Sequence, residues 1–339
     1  MSSTRRAKVP FMARPAAADK KSSLNRRYLK ERRMWRFAAA AGTAACCLRS
    51  EWERRHFVTQ TYELSSEKVK EEKTFVFLSD LHDNCFGPGQ KELLDGIRGI
   101  HPDAVLIGGD MMVVKKEARL EASLFLVKKL ARLYPVYYGN GNHENRMDQK
   151  RTEYGDQYDV LVRELKKAGV CHLSDMSVDL PGNIRVSGLN LEKKHYKKRA
   201  GSGLDTCYIE RRLGAASQDR YQILLAHSPL FREAYARWGA DLTLSGHFHG
   251  GTIRLPGLGG VMTPQFHFFL DCCGGCLKTG EKVIIVSRGL GTHSINIRLN
   301  NRPELVAARI KPKDKNAMDG RRKQQEKSDD GHILQTGEF

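Results

Sequence analysis

Residues 74–84 have the sequence TFVFLSDLHDN, in which an apolar run stops at an Asp-x-His pair. Apolar residues rich in β-formers and bounded by polar ones predict a buried strand. Because side chains alternate along a strand, Asp80 and His82 are expected on one face, where a carboxylate and an imidazole could share a metal ion. Taken alone, the pair favours a simpler explanation, which is an ordinary polar exit from a strand.

The pattern of strand, polar exit and helix recurs along the first half of the chain. Apolar runs at 104–107 and 135–138 predict two more strands, which end at GGD (108–110) and at GNGNHE (139–144). This alternation is typical of an α/β architecture, in which ligands bind beyond the carboxyl ends of the strands. The spacing of apolar residues predicts the intervening helices at 90–100, 117–133 and 157–168.

The second half of the chain is richer in predicted strands. The predicted strands lie at 184–189, 221–226, 241–245, 282–287 and 295–310. His227 follows the strand at 221–226, and GHFHGG (246–251) follows the strand at 241–245. A basic segment at 192–220 is expected to be an insertion with a short helix.

Five strand ends therefore deliver side chains that can bind a metal ion. A single histidine after a strand is more often structural, but five repetitions of one arrangement favour a metal site. Asp, Asn and His ligands without a thiolate suit a pair of Mn, Fe or Zn ions better than a structural zinc. The candidate residues are Asp80 and His82, Asp110, Asn142 and His143, His227, and His247 and His249.

This ordered set of motifs resembles the calcineurin-like metallophosphoesterase superfamily over residues 74–310. The later motifs GHFHGG (246–251), RGLG (288–291) and NRPEL (301–305) resemble its bacterial, often membrane-anchored branch with phosphodiesterase-like members. The resemblance implies an α/β fold built as a four-layer β-sandwich flanked by helices. It also implies a hydrolase of phosphate monoesters or diesters that depends on two divalent metal ions.

The resemblance also implies roles for individual residues. Asp80, His82 and His249 would hold the first metal ion, Asp110 would bridge, and the second would take Asn142, His227 and His247. A hydroxide bridging the metals would attack the phosphorus in line. His143 would assist the leaving group as a general acid or as a fixed hydrogen-bond donor, and Glu144 would support the site or the start of a helix. One departure is Val113, which stands where many relatives have an Asp that orients this histidine.

An alternative function is a metal-binding scaffold or regulatory member of the fold without significant turnover. The complete ligand set favours the enzyme, because scaffolds of this fold usually lack a ligand or the acid histidine. The expected partner is a phosphate-ester substrate, and the enzyme is expected to be a monomer. Nucleic acid is expected only as a substrate, since the core that follows the N-terminal tail is only mildly basic and lacks motifs that combine aromatic and basic residues.

The positive charge is concentrated at the N-terminus. Residues 1–56 carry 15 Lys and Arg against 4 Asp and Glu, so +11 of the net +18 lies in this sixth of the chain. This tail is expected to bind anionic lipid or act as a targeting signal, with a solvated arm or nucleic-acid binding as alternatives. Its uncharged run at 37–48 is too short to span a bilayer and suits a signal segment or a shallow anchor. The protein is therefore expected to be membrane-associated, with export as an alternative, and otherwise cytoplasmic.

The expected organisation is a basic tail at 1–56, a catalytic domain at 57–312 and a disordered polar tail at 313–339. The eight cysteines are irregularly spaced, which does not fit a disulfide scaffold. The cluster DCCGGC (271–276) could suggest a metal knuckle, but a second pair of ligands is not evident. Reduced loop cysteines are expected instead.

Overall fold

The structure, a computed structural model, describes residues 16–115, 117–196, 203–255, 257–263, 268–292 and 296–313. The chain divides into two compact units, Met1–Arg49 and Ser50–Phe339. The functional residues predicted from the sequence all lie in the second unit. The predicted tail from 314 onward lies outside the described residues.

Strands and helices alternate through the first half of the second unit, and strands dominate its second half. The strands are β1 (Val58–Ser66), β2 (Lys73–Leu78), β3 (Ala104–Ile107), β4 (Val114–Lys115), β5 (Glu117–Ala118), β6 (Val136–Gly139), β7 (Cys171–Leu173), β8 (Met176–Leu180), β9 (Ile184–Leu189), β10 (Tyr221–Ala226), β11 (Leu242–Ser245), β12 (Arg254–Leu255), β13 (Gly259–Gly260), β14 (Gly275–Thr279), β15 (Lys282–Val286) and β16 (Glu304–Pro312). The helices are α1 (Ala16–Arg55), α2 (Lys91–Ile100), α3 (Glu121–Ala131), α4 (Asn142–Gln149), α5 (Arg151–Tyr154), α6 (Gln157–Lys167), α7 (Thr206–Leu213) and α8 (Arg232–Trp238). Short 3₁₀ turns lie at Pro88–Gln90, Lys193–Tyr196 and Pro229–Phe231.

Two six-stranded mixed sheets form the centre of the second unit. The first has the order β1-β16-β2-β3-β6-β7, and β2, β3, β6 and β7 are parallel. The second has the order β14-β15-β11-β10-β9-β8, and β15, β11, β10 and β9 are parallel. The parallel strands of each sheet end at a common edge, and the predicted metal-binding residues follow these ends.

Three apolar clusters explain why the elements stack in four layers. The central cluster joins the facing sides of the two sheets, with Phe75 and Phe77 of β2 packed among Ile223 and Leu225 of β10. A second cluster packs α2, α3 and α6 against the outer face of the first sheet. A third packs α7 and α8 against the outer face of the second. The predicted α/β sandwich flanked by helices is therefore confirmed.

Two predicted elements have different bounds. The helix expected at 117–133 begins only at Glu121, because residues 114–118 form the small antiparallel hairpin of β4 and β5. The Gln157 side chain accepts a hydrogen bond from the Ala118 amide at 3.2 Å and so holds this hairpin. The strand expected at 295–310 begins at Glu304, because residues just before it bind the end of α1 instead of a neighbouring strand.

The first unit is described only through α1. Side chains 27–49 of this helix are all exposed, including those of the uncharged run at 37–48. Among the described residues, no helix combines the length and apolar character needed to cross a bilayer. Attachment of the basic tail to a membrane surface stays a prediction.

Candidate metal centre

The first group of ligand atoms joins the exit of β2 to the exit of β11. Asp80, His82 and His249 are buried, and one ligand atom of each lies within 4.8 Å of the others. His249 Nε2 lies 3.4 Å from Asp80 Oδ1 and 3.2 Å from His82 Nε2. The structure thus brings together the three residues that the sequence placed at one metal ion.

The reason given from the sequence for the Asp80–His82 pair was wrong. Strand β2 ends at Leu78, and both residues adopt left-handed conformations with φ of 53° and 45°. Their amides donate to the carbonyl oxygens of Gly109 (3.0 Å) and Asp110 (3.2 Å), so two exit loops bind each other. The side chains meet through this loop geometry and not through strand alternation.

The second group surrounds Asp110 at the exit of β3. Ligand atoms of Asp110, His227 and His247 lie within 4.8 Å of one another, and all three residues are buried. His227 Nε2 is 3.3 Å from Asp110 Oδ2. One end of the Asn142 amide lies 2.7 Å from His247 Nδ1 and 3.2 Å from Asp110 Oδ2. Asn142 therefore lies beside the second group, and its role as a ligand, implied by the resemblance, stays a prediction.

Two glycines allow the exits of β3 and β6 to approach each other. Gly109 has φ of +87°, and a Cβ on it would lie 1.9 Å from the Gly141 amide nitrogen. A Cβ on Gly141 would lie 2.2 Å from Asp110 Oδ1. Any larger side chain at either position would separate Asp110 from α4, which begins with Asn142 and His143.

Asp110 stands between the two groups. Its Oδ1 accepts a hydrogen bond from the His143 amide at 2.8 Å, at the N-terminus of α4, where a negative charge is favourable. Its Oδ2 faces His227 at 3.3 Å and His82 Nε2 at 3.8 Å. Burial opposes ionisation, but His227 and His143 outweigh it and hold the pKa of Asp110 well below its usual range. A single carboxylate thus contacts ligands of both groups.

The donor set fits divalent cations. His227 Nδ1 bonds to the Gly108 carbonyl (2.7 Å) and His249 Nδ1 to the Gly291 carbonyl (3.1 Å), which leaves each Nε2 directed at a carboxylate. Such a second hydrogen bond fixes the tautomer of metal-binding histidines. The side-chain oxygen of Asn142 faces only hydrogen-bond acceptors, among them Asp110 Oδ2. A bound cation would make this orientation of the amide favourable. Bound cations would accept the lone pairs of the oxygen and nitrogen atoms that converge here and would offset the charge of the carboxylates.

The histidines differ in charge when no cation balances the carboxylates. Burial lowers the pKa of His227, but Asp110 and Asp80 outweigh it and raise this pKa to about 10. Burial, assisted by the charge of His227, holds the pKa of His247 well below its usual range. Burial also lowers the pKa of His249, although Asp80 opposes the shift. His227 thus carries the proton that cations would replace.

A backbone amide orients His143. The Val114 N–H donates to His143 Nδ1 at 2.7 Å, so the proton of the neutral ring lies on Nε2. His143 Nε2 lies 3.9 Å from Asp110 Oδ2. The Val114 amide therefore orients His143, a role for which the sequence had indicated no residue because Val113 replaces the Asp of many relatives. The ring also forms a third group of possible ligands with His82 and Asp110.

Glu144 holds the loops around Asp110. Its carboxylate accepts hydrogen bonds from the amides of Asp110 (2.9 Å), Met111 (3.2 Å) and Gly141 (3.0 Å) and from the Tyr138 hydroxyl (2.6 Å). The bond to Gly141 is that of a capping-box residue at the start of α4. Burial and then the charge of Asp110 raise the pKa of Glu144. The position supports the site, as predicted for it, and is not aimed at the ligand atoms.

Replacing Glu144 with Gln is expected to lower the free energy of unfolding by about 2–4 kcal/mol, because a neutral amide cannot accept from four buried donors. Urea unfolding of the two proteins measures the difference. Tyr138→Phe is the control, since it removes only one of the donors and should cost about 1 kcal/mol. A Glu144→Gln variant within 0.5 kcal/mol of wild type, a margin about the size of an ordinary surface substitution, would contradict this role.

The sequence did not predict the group that fixes His249. The Asn301 side chain donates from Nδ2 to the His249 carbonyl at 2.8 Å. The backbone N–H of Asn301 donates to the Glu53 carboxylate at 2.9 Å. Arg298 donates to the Gly291 carbonyl at 2.6 Å, the same oxygen that His249 Nδ1 contacts. The NRPEL motif was noted, but the pairing of Asn301 with a residue 248 positions away carries no local signal.

Other residues noted in the sequence lie outside the ligand groups. Asp83 accepts from the Val113 amide at 3.1 Å, and Asn84 donates to the Leu290 carbonyl at 2.9 Å, so both stabilise loops. All eight cysteines are free, as expected, although Cys272 and Cys273 are buried.

The chain is similar to several known proteins. The chain is 28% identical to the uncharacterized protein YpbG of Bacillus subtilis (strain 168), over 79% of this chain and 91% of that protein. It is 29% identical to the phosphodiesterase YaeI of Escherichia coli (strain K12), over 68% of this chain and 79% of that protein. A purple acid phosphatase from yellow lupin aligns over 73% of this chain and 55% of its own, at 12% identity and a TM-score of 0.38.

The family itself is shown by a match that covers both predicted ligand groups. Residues 73–251 match the model of the calcineurin-like phosphoesterases, a span that runs from β2 to the last histidine of the site. The chain belongs to the calcineurin-like phosphoesterase family.

Proposed function

We propose that the protein hydrolyses phosphate esters, diesters or monoesters, at a centre of two divalent cations. The observation that supports it best is the position of Asp110, whose Oδ2 contacts ligands of both groups, at 3.3 Å from His227 and 3.8 Å from His82. Asp80, His82 and His249 would hold one cation, and Asn142, His227 and His247 the other. Asp110 would be shared.

Two such cations would lower the pKa of water to give a nucleophile near neutral pH and would offset the negative charge of the phosphoryl group. The described side chains position both reactants. The carboxylates and imidazoles are buried, so little reorganisation would accompany the reaction. Backbone hydrogen bonds fix most of them, namely Asp80, Asp110, His143, His227 and His249. The displacement would run in line, with the leaving oxygen opposite the attacking one.

His143 would act on the leaving group. The Val114 amide fixes Nδ1 as an acceptor, so the ring presents an Nε2–H donor beside Asp110. A hydrogen bond from this donor would stabilise the negative charge that develops on the leaving oxygen. The ring is held on the helix that also carries Asn142, which links this donor to the second group of ligands.

A substrate screen tests the proposal. Purified protein supplied with Mn²⁺ is assayed against bis- and mono-p-nitrophenyl phosphate, then against lipid and nucleotide phosphoesters. The relative named a phosphodiesterase favours diesters as the class to test first. We expect hydrolysis that a chelator abolishes and added metal restores. Inactivity against every ester by protein that holds its metals would instead favour the scaffold function.

A further inference from the structure

A short turn brings one tyrosine to the edge of the second ligand group. The 3₁₀ turn Lys193–Tyr196 is anchored by the buried ring of His195, which packs edge-on against Tyr208 (4.8 Å) and Phe231 (5.5 Å) between ring centroids. This anchor lies in the apolar cluster of α7 and α8. The last residue of the turn, Tyr196, is thereby fixed in place.

The Tyr196 ring contacts the imidazoles of the second group. Its centroid is 5.1 Å from that of His247, in an edge-on arrangement, and 6.1 Å from that of His227. Such edge-on contacts hold a ring in one orientation. Tyr196 is therefore a wall of the site on the side of the second group.

The hydroxyl of Tyr196 is buried and has no hydrogen-bond partner within the described parts of the chain. The comparable hydroxyls of Tyr138 and Tyr235 donate to Glu144 at 2.6 Å and to the Ser228 carbonyl at 2.9 Å. A buried hydroxyl without a partner destabilises the fold, because its hydrogen bonds to water have been lost and not replaced. Such a group at the edge of a functional site is typical of one that binds a ligand.

We propose that the Tyr196 hydroxyl donates a hydrogen bond to a phosphoryl oxygen of the substrate. A phenol keeps its proton near neutral pH and is then a donor, and phosphoryl oxygens are strong acceptors. The contacts with His227 and His247 place the Tyr196 ring beside the ligands proposed for the second cation, where a phosphoryl group would lie. The inference rests on the proposed function and adds a substrate-binding residue to it.

Tyr196→Phe tests this role against Tyr208→Phe as the matched control. The Tyr208 hydroxyl lies in the same cluster but is used by the fold, since it contacts the Asn190 carbonyl and the Glu192 amide, both at 3.3 Å. The measurements are the Kd of inorganic phosphate for the metal-loaded protein by calorimetry, the metal content, and the Tm of the metal-free protein.

For Tyr196→Phe we expect phosphate binding about tenfold weaker, the loss of one hydrogen bond to an anion. Metal content should be unchanged, and the Tm should stay the same or rise by about 2 °C, because an unpaired polar group has been removed. Tyr208→Phe should do the opposite and lower the Tm by about 3 °C without changing the Kd of phosphate.

Equal phosphate affinity in Tyr196→Phe and wild type would overturn the role of Tyr196. A Tm loss in Tyr196→Phe as large as that of Tyr208→Phe would overturn it as well, since the hydroxyl would then serve the fold. Failure of the proposed function has a different signature, in which wild type itself neither binds phosphate nor hydrolyses any ester. In that case the role of Tyr196 falls with it.

Discussion

The Asp110→Asn variant is expected to lose at least about 10³-fold in turnover and to retain less metal than wild type. In the proposed centre Asp110 is the shared ligand, since its Oδ2 lies 3.3 Å from His227 Nε2 and 3.8 Å from His82 Nε2. Asn would replace a charged acceptor at Oδ2 with a neutral one. Initial rates and elemental analysis of the purified proteins measure both effects.

The control for this variant is Asp103→Asn, at the opposite end of β3. Asp103 Oδ2 accepts a hydrogen bond from the Thr74 amide at 2.8 Å, so it has a structural role without contact to the ligands. We expect it to retain wild-type metal content and turnover. An Asp110→Asn variant as active as Asp103→Asn would show that Asp110 does not connect two cations.

The His143→Asn variant is expected to lose about 10²–10³-fold in turnover while its metal content stays intact. The Val114 amide holds Nδ1 at 2.7 Å, so the ring supplies an Nε2–H donor that Asn cannot place equally. The loss should be larger for esters with a poor leaving group than for p-nitrophenyl esters, whose leaving oxygen needs little stabilisation. Rates for an alkyl and a p-nitrophenyl ester make the comparison.

His101→Asn is the matched control, because His101 is exposed at the end of α2. Unchanged turnover in His143→Asn would remove this histidine from the mechanism. Loss of metal in the same variant would make His143 a ligand, a role that its position beside His82 and Asp110 also permits. The metal content therefore separates the two roles of this ring.

Much of the fold could be predicted because each buried strand is a short apolar run with a polar end. The runs at 74–78, 104–107 and 221–226 match β2, β3 and β10 to within one residue at each end. Since parallel strands end at a common edge, residues after these runs could be expected to meet. The local pattern thus predicts that the candidate ligands meet, whereas their division into two groups was implied by the family resemblance.

Other features could not be predicted because they depend on contacts between distant segments. The left-handed backbone of Asp80 and His82 follows from the packing of their loop on Gly109 and Asp110. The orientation of His143 depends on the backbone amide of Val114. Because almost any residue supplies such an amide, the residue types at 113 and 114 do not reveal it. The bond of Glu53 to Asn301 and the placement of Tyr196 arise in the same way.

The central claim is that this chain holds two catalytic cations at one buried centre. The most direct measurement is a titration of metal-free protein with Mn²⁺, in which bound metal and hydrolysis of a phosphate ester are followed together. The account predicts two equivalents of Mn²⁺ per chain and full activity only when both are bound. Full activity with one equivalent, or activity that persists in excess chelator, would contradict it.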